Sequence, residues 1–162
     1  MDKNNSFLFE MASDLLLFDP AKWNLLCKDK VNKKIRWAKK IDDINNIANV
    51  IEDSNNYYMV CESTETNGRF LAIKKRDGST LWYIPGKSFL QQLFGGYLYN
   101  IFADENSRYF LLKVDKTRGD KIWFHQVDID LDEYSFKKDS IMLKYQSGKI
   151  ENISHQTGRV ID

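Results

Sequence analysis

The side chains best suited to catalysis in this sequence are its two histidines, His125 and His155. A catalytic histidine exchanges protons with a positioned nucleophile or substrate, and neither histidine has a nucleophile–base pair near it in the sequence. Both lie in strand-like runs, and the period-2 alternation of a strand puts His125 on the same face as Trp123. The sequence therefore predicts no catalytic residues, and an enzyme is kept only as an alternative.

A second candidate is the acidic segment Asp128-Ile129-Asp130-Leu131-Asp132, which has Asp139 at the twelfth position of a hypothetical calcium loop. Such loops need glycine at the sixth position for a sharp turn, and Glu133 stands there. We therefore expect a strand whose carboxylates face solvent while Ile129 and Leu131 point inward. No metal and no cofactor is predicted.

A third candidate, Pro85-Gly86-Lys87-Ser88, ends like a phosphate-binding loop. That loop requires a glycine five residues before Gly86, where this chain has Leu81. The segment is therefore predicted to be an ordinary turn.

The segment from Lys28 to Lys40 has a local charge of +6, because seven basic residues face one acid, Asp29. Together with Trp37 it could present a stacking and phosphate-binding surface. The alternative is a protected outer strand, where lysines prevent edge-to-edge pairing with other chains. Lys34, Arg36 and Lys40 are the candidate binding residues. Since Asp128 to Glu133 has the opposite sign, charge is segregated along the chain, which favours docking to a protein of complementary pattern.

The overall composition limits the classes of partner. The 162 residues include 24 basic and 23 acidic side chains, so a net charge of +1 offers no global field for nucleic acid or an anionic membrane. The N-terminal residues lack the pattern of a secretory signal and no run is long enough for a membrane helix, so we expect a cytoplasmic protein. Cys27 and Cys61 are predicted to be small buried hydrophobes rather than a disulfide or metal site.

The sequence contains a repeated pattern, in which a turn residue is followed four residues later by tryptophan. Gly78 and Gly119 are each followed four residues later by tryptophan, Trp82 and Trp123. The same spacing joins Lys33 to Trp37, with lysine in place of glycine, and Gly158 to Asp162, with aspartate in place of tryptophan. The turns at 33, 78, 119 and 158 are spaced by 45, 41 and 39 residues, the period of a propeller blade.

Each repeat contains apolar runs typical of four strands, and 22 aromatic residues (10 Phe, 8 Tyr, 4 Trp) favour β-structure. Sixteen strands exceed what one flat sheet holds. We therefore predict a single all-β domain over 1–162, a small β-propeller of about four four-stranded antiparallel blades; a β-sandwich or an open barrel is the alternative. The last repeat is short, so its final strand is either ragged or completed by the N-terminal segment near Phe7.

The aromatic strand, the Asp-Gly or Thr-Gly turn and the tryptophan four residues later resemble the quinoprotein-type (PQQ-like) β-propeller repeat. The resemblance is good over Tyr57 to Trp82 and Tyr97 to Trp123, fair over Leu15 to Trp37 and poor over Ile141 to Asp162. It implies the fold but not the cofactor, because the adjacent cysteine pair of quinoprotein dehydrogenases is absent. The WD-type signature is absent too.

Blades present a broad, pre-organised surface at little ordering cost, which suits binding to another protein. The sequence therefore predicts a non-enzymatic protein-interaction module, such as an inhibitor, an immunity-type protein or a scaffold subunit. The alternatives are an enzyme with its site at the propeller mouth and a nucleic-acid binder that uses the hairpin 28–40.

Overall fold

The computed structural model describes residues 6–162, which form fifteen strands and no helix. The strands pair in chain order into four antiparallel sheets. Sheet 1 contains β1 (Phe7–Glu10), β2 (Asp14–Asp19), β3 (Asn24–Asp29) and β4 (Ile35–Lys40). Sheet 2 contains β5 (Asn46–Glu52), β6 (Asn56–Glu62), β7 (Gly68–Lys74) and β8 (Thr80–Pro85). Sheet 3 contains β9 (Lys87–Phe94), β10 (Tyr97–Ala103), β11 (Tyr109–Val114) and β12 (Lys121–Val127), and sheet 4 contains β13 (Leu131–Phe136), β14 (Ser140–Tyr145) and β15 (Ile150–Ser154).

The predicted all-β architecture of four antiparallel sheets is confirmed, with one correction in the last sheet. Sheet 4 has three described strands, because Val160 forms only an isolated bridge with Ile153. The N-terminal segment does not complete it, since Phe7 pairs with Phe18 within sheet 1. The chain therefore forms fifteen described strands where sixteen were predicted.

The four turns that define the repeat have the same backbone geometry. In each, the amide of Lys33, Gly78, Gly119 or Gly158 donates to the carbonyl four residues earlier. The residue has a positive φ in all four turns, between 62° for Lys33 and 76° for Gly119. Lysine adopts this conformation less readily than glycine, so Lys33 occupies a glycine position at some cost in backbone strain.

The chain divides into two compact units, the first ending at Ser88 and the second beginning at Phe89. The core of unit 1 is made of residues from Met11 to Ile73, and that of unit 2 of residues from Tyr99 to Ile153. Both thiols are buried and free, as the sequence predicts for Cys27 and Cys61. The extent of a single domain over 1–162 stays a prediction.

A tryptophan anchors neighbouring sheets inside each unit. In unit 1, the Trp37 indole lies on Gly78, and its Nε1 donates to the carbonyl oxygen of Lys75 at 2.8 Å. In unit 2, the Trp123 indole lies on Gly158, and its Nε1 donates to the carbonyl oxygen of His155 at 2.9 Å. A Cβ added at either glycine would lie 2.6 Å from the indole ring, so glycine is required there by close contact as well as by its positive φ.

Trp82 occupies the corresponding position of sheet 2 and is 8% exposed. Within its own unit its ring packs against Tyr58 and Phe70, with ring centroids 6.2 Å and 5.5 Å apart. All three repeat tryptophans are therefore buried, at 7 to 8% exposure.

Candidate functional site

Unit 2 has an apolar groove of about 310 Å³, which we call the acidic groove. Its floor and walls are aromatic and aliphatic, and two carboxylates stand among them. The ring centroids of Phe89 and Tyr109 lie 5.5 Å apart. The lining residues are Phe89, Leu90, Ile101, Tyr109, Val127, Asp128, Ile129, Leu131, Asp132 and Tyr134.

Residues at the rim of this groove are unusually exposed for their type. Ile129 is 82% exposed, Phe89 53% and Tyr134 38%. The predicted inward orientation of Ile129 is therefore wrong. Because β12 ends at Val127 and β13 begins at Leu131, residues 128–130 form a turn rather than part of a strand, and the side-chain alternation that put Ile129 inside does not apply.

The carboxylates of this turn serve mainly to hold it in place. Asp128 is 2.9 Å from the Lys149 ammonium, and Asp130 accepts the backbone amide of Ser147 at 3.1 Å. Within residues 6–162, no group of three or more His, Cys, Asp and Glu side chains is placed to hold a metal ion. Asp132 is exposed beside Tyr134 and gives the groove its free negative charge.

Unit 1 has a pocket of different character, about 480 Å³ in volume and lined by polar residues. Its centre is Glu62, whose carboxylate accepts from the Lys87 ammonium at 2.7 Å and from the Asn46 amide at 2.7 Å. The hydrogen bond from Lys87 lowers the pKa of Glu62 below its usual value, against the opposing effect of partial burial. Lys87, the lysine of the segment that resembles a phosphate-binding loop, is therefore engaged in an ion pair.

Both histidines are held by unit 2. His155 Nε2 donates to the carbonyl of Lys137 at 2.8 Å, and its Nδ1 lies 3.0 Å from the Tyr99 hydroxyl. Its ring also stacks on Phe94 with centroids 4.9 Å apart. These contacts occupy both ring nitrogens and one face of the ring, so His155 has a structural role in unit 2.

His125 lies between two acceptors. Its Nδ1 is 3.1 Å from the carbonyl oxygen of Gly158, and its Nε2 is 3.5 Å from a carboxylate oxygen of Glu151. The same carboxylate group accepts the hydroxyl of the buried Tyr145 at 2.6 Å. Neither nitrogen faces a nucleophile, and the arrangement ties β12 to β15 and to the last turn.

The candidate binding residues of the basic hairpin have different surroundings. Lys34 and Lys40 are exposed. Arg36 is not free, because its Nε lies 2.9 Å from Asp14 and its Nη2 2.7 Å from Asp29. These two carboxylates, Asp29 first, raise the pKa of the Arg36 guanidinium. The hairpin therefore presents lysines to solvent while its arginine stabilises unit 1.

The network that holds Arg36 includes residues that the sequence did not reveal. Asp14 is only 2% exposed, and it accepts a short hydrogen bond from the Tyr57 hydroxyl. Burial, followed by the hydrogen bond to Asp14, raises the pKa of Tyr57. Asp14 and Tyr57 are 43 positions apart, and the packing of sheets 1 and 2 within unit 1 brings them together.

The chain has no match among family models and none among curated proteins. In residues 6–162 no helix is long and apolar enough to cross a membrane.

Solved structures resemble the fold. The computationally designed Ika8 protein matches with a TM-score of 0.65 and 10% identity, over 96% of this chain and 47% of that one. The designed Ika4 protein matches with a TM-score of 0.65 and 9% identity, over 95% and 93% of the two chains. A quinohemoprotein alcohol dehydrogenase from Pseudomonas putida HK5 matches with a TM-score of 0.64 and 9% identity, over 96% of this chain and 33% of that one.

These likenesses confirm the predicted β-propeller fold and the predicted resemblance to quinoprotein-type propellers, at the level of fold alone. This chain spans less than half of the Ika8 protein and about a third of the dehydrogenase. Identities of about 10% carry no function across.

Proposed function

We propose that this protein is a non-enzymatic protein-interaction module whose contact surface includes the acidic groove of unit 2. The observation that carries the proposal is the exposure of Ile129, Phe89 and Tyr134 around one concave, apolar surface. Aromatic and aliphatic side chains around a pocket are typical of the residues that contribute most to protein–protein binding.

The charge around the groove indicates the chemistry of the partner. Asp132 lies beside the exposed apolar residues, whereas Asp128 is paired with Lys149. A complementary surface would insert an apolar side chain between Phe89 and Ile129 and place a lysine or arginine near Asp132. Such charge pairs at a rim mainly accelerate association and select the partner. A basic target of an inhibitor, or a neighbouring scaffold subunit, would meet this description.

The contacts of the histidines support a binding function over an enzymatic one. Each nitrogen of His125 and His155 lies near a carbonyl, a carboxylate or a tyrosine hydroxyl. Lys34 and Lys40 offer a second, basic contact surface on unit 1. Two of the seven basic residues of this hairpin are already paired, Lys30 with Glu10 and Arg36 with Asp14 and Asp29, which weakens the case for nucleic acid, whose binding needs several basic contacts together.

Affinity capture from a lysate of the source organism tests the proposal, with wild-type protein and single variants as baits. Ile129→Asp removes the most exposed apolar residue of the groove in a turn where it supports no core. Ile122→Asp, at a 45% exposed position of β12 outside the groove, is the matched control. We expect the wild type and the control to retain one stoichiometric partner, and Ile129→Asp to retain at least tenfold less.

Two further baits measure how charged residues contribute to binding of the partner. Asp132→Lys should slow association with the same partner, and a Lys34→Glu, Lys40→Glu double variant measures the contribution of the basic hairpin. Equal capture by wild type and Ile129→Asp would contradict the groove as the contact surface. Co-purification of nucleic acid alone, lost in the double lysine variant, would replace the proposal with the nucleic-acid alternative.

A further inference from the structure

The first and last sheets differ from the two middle sheets in how their faces are buried. In sheets 2 and 3, consecutive residues of the inner strands are buried on both faces, as in Tyr57 to Cys61 and Leu98 to Ile101. In sheet 1, the burial of β2 alternates, and so does that of β14 in sheet 4. Among residues 6–162, sheets 1 and 4 therefore each have one face that is incompletely covered.

The uncovered face of sheet 1 has an apolar centre, and Glu10, Lys28 and Lys40 lie on the same face. Register places Leu8, Leu17 and Leu26 side by side on β1, β2 and β3. Leu17 and Leu26 are half-buried, and Leu8 is 61% exposed. Leu15 and Ile35, the latter 63% exposed, extend the same face. Strands that are buried on both sides have this continuous apolar character, so the sequence of β2 is suited to being covered on its second face.

The uncovered face of sheet 4 is mixed. Met142 and Ile150 supply its apolar part, and Ile150 is 57% exposed. Lys144 pairs with Glu133 on the same face, with nitrogen and oxygen 3.2 Å apart. Register places Ser135 and Asn152 on either side of Met142, so the centre of this face has one large apolar side chain between two polar ones, and charges of both signs lie at one end.

The repeat itself indicates how these two faces would meet. Inside each unit, the tryptophan of one sheet lies on the turn glycine of the next, Trp37 on Gly78 and Trp123 on Gly158. In sheet 4 the residue at the tryptophan position is Asp162, and in sheet 1 the residue at the glycine position is Lys33. A sheet 4 placed before a sheet 1 would therefore bring together a carboxylate and an ammonium, where the junction inside each unit brings together an indole and a glycine.

We propose that sheet 4 of one copy of this chain packs on sheet 1 of a second copy, and reciprocally, to give a two-fold dimer with a Lys33–Asp162 pair at each junction. With strands about 4.8 Å apart and about 3.3 Å per residue, one contact buries roughly 600–800 Å² over both faces. A single contact of that size is weak, whereas two contacts bury roughly 1,200–1,600 Å², which is the size of a stable interface. Four-sheet arrangements like this one occur both as nearly a whole chain and as half of a longer one.

Analytical ultracentrifugation over a concentration series tests the dimer directly. The wild type should sediment as a species of twice 19.1 kDa at high concentration and dissociate on dilution. Leu8→Glu and Ile150→Glu change exposed side chains on the two proposed faces, so both proteins should fold. Each should raise the dimer dissociation constant at least tenfold, and Ile122→Glu on β12 is the matched control.

Charge reversal tests the junction and the identity of the partner together. Lys33→Glu and Asp162→Lys should each weaken self-association, because each homodimer then contains two like-charged pairs. Mixing the two variants should restore dimers, since one junction of the mixed dimer has the native pair and the other has the pair reversed. Lys121→Glu, at an exposed position outside both faces, controls for net charge.

The outcomes are distinct. A wild type that stays monomeric at every concentration, or that forms open chains larger than a dimer, would overturn the proposal. Loss of the dimer with Leu8→Glu but not with Ile150→Glu would also overturn it, because two sheet 1 faces would then be paired with each other. None of these variants lies in the acidic groove, so this result is independent of the proposed partner protein.

Discussion

The two units of this protein use the same anchor in different surroundings. In both, an indole covers a turn glycine and donates to the carbonyl three residues before it, that of Lys75 in unit 1 and that of His155 in unit 2. In unit 1 the anchor lies near a buried carboxylate network, and in unit 2 it lies in an aromatic cluster. The comparison shows that both units keep the same turn geometry and the same tryptophan contact, while the residues around the indole differ in polarity.

The difference in polarity extends to the surfaces. Unit 1 has a polar pocket centred on the Glu62–Lys87 ion pair, and unit 2 has the apolar acidic groove. Because the same sheet geometry holds both, the binding chemistry of each unit depends on a few side chains near the strand ends.

The strongest test of the shared anchor is to remove it from each unit in turn. Trp37→Ala and Trp123→Ala should each lower the free energy of unfolding by about 3–5 kcal/mol, the usual loss when a large buried aromatic leaves a cavity. Thermal or urea melts measure it. Trp23→Ala, at a 38% exposed position, should cost about 1 kcal/mol or less. A large loss for only one of the two buried tryptophans would show that the anchors are not equivalent.

The sequence predicts which turns and tryptophans repeat, because that spacing is local, but it does not predict that each indole covers the glycine of the next sheet. A glycine and a tryptophan four residues apart mark the turn and the outer strand, and even Lys33 was identified as a turn residue although it is not glycine. Local alternation also misleads: in the acidic segment it predicts a strand, but Ile129 lies in a turn and is exposed.

The Asp14 network and the polar pocket depend on contacts between residues far apart in the sequence. Asp14 is the first residue of β2, and its buried carboxylate is satisfied by Tyr57 and Arg36, which lie on other strands. Glu62 and Lys87 lie 25 residues apart, and their pairing follows from the positions of two strand ends. Long-range pairs of this kind have no signature in spacing or composition, so the pocket could not be predicted.

The tyrosines near the two anchors should differ by a smaller amount in their contribution to stability. Tyr57→Phe leaves the buried Asp14 carboxylate without one of its hydrogen bonds and should cost about 1–3 kcal/mol. Tyr99→Phe removes a hydrogen bond to His155, whose ring is partly exposed to water, and should cost about 0.5–1.5 kcal/mol. Urea titrations of both variants measure the difference. A larger loss for Tyr99→Phe would reverse our assignment of the more demanding polar site to unit 1.

The smallest expected effect is the stabilisation of unit 1 by the Glu62–Lys87 ion pair, which should depend on pH. Lys87 lowers the pKa of Glu62 in the folded protein below the value of about 4.5 that it has in the unfolded chain. The ionised carboxylate therefore stabilises the fold at pH values above about 4.5. That contribution is lost as the pH falls through the lower, folded pKa, where the carboxyl takes up a proton in both states. Thermal melts should therefore show Glu62→Gln less stable than wild type near pH 7, with the difference shrinking below pH 4.5. Glu65→Gln, at an exposed position of the same pocket, should follow the wild-type pH profile. A difference between wild type and Glu62→Gln that stays constant from pH 7 to pH 3 would mean that the pair stabilises unit 1 through shape and not through charge.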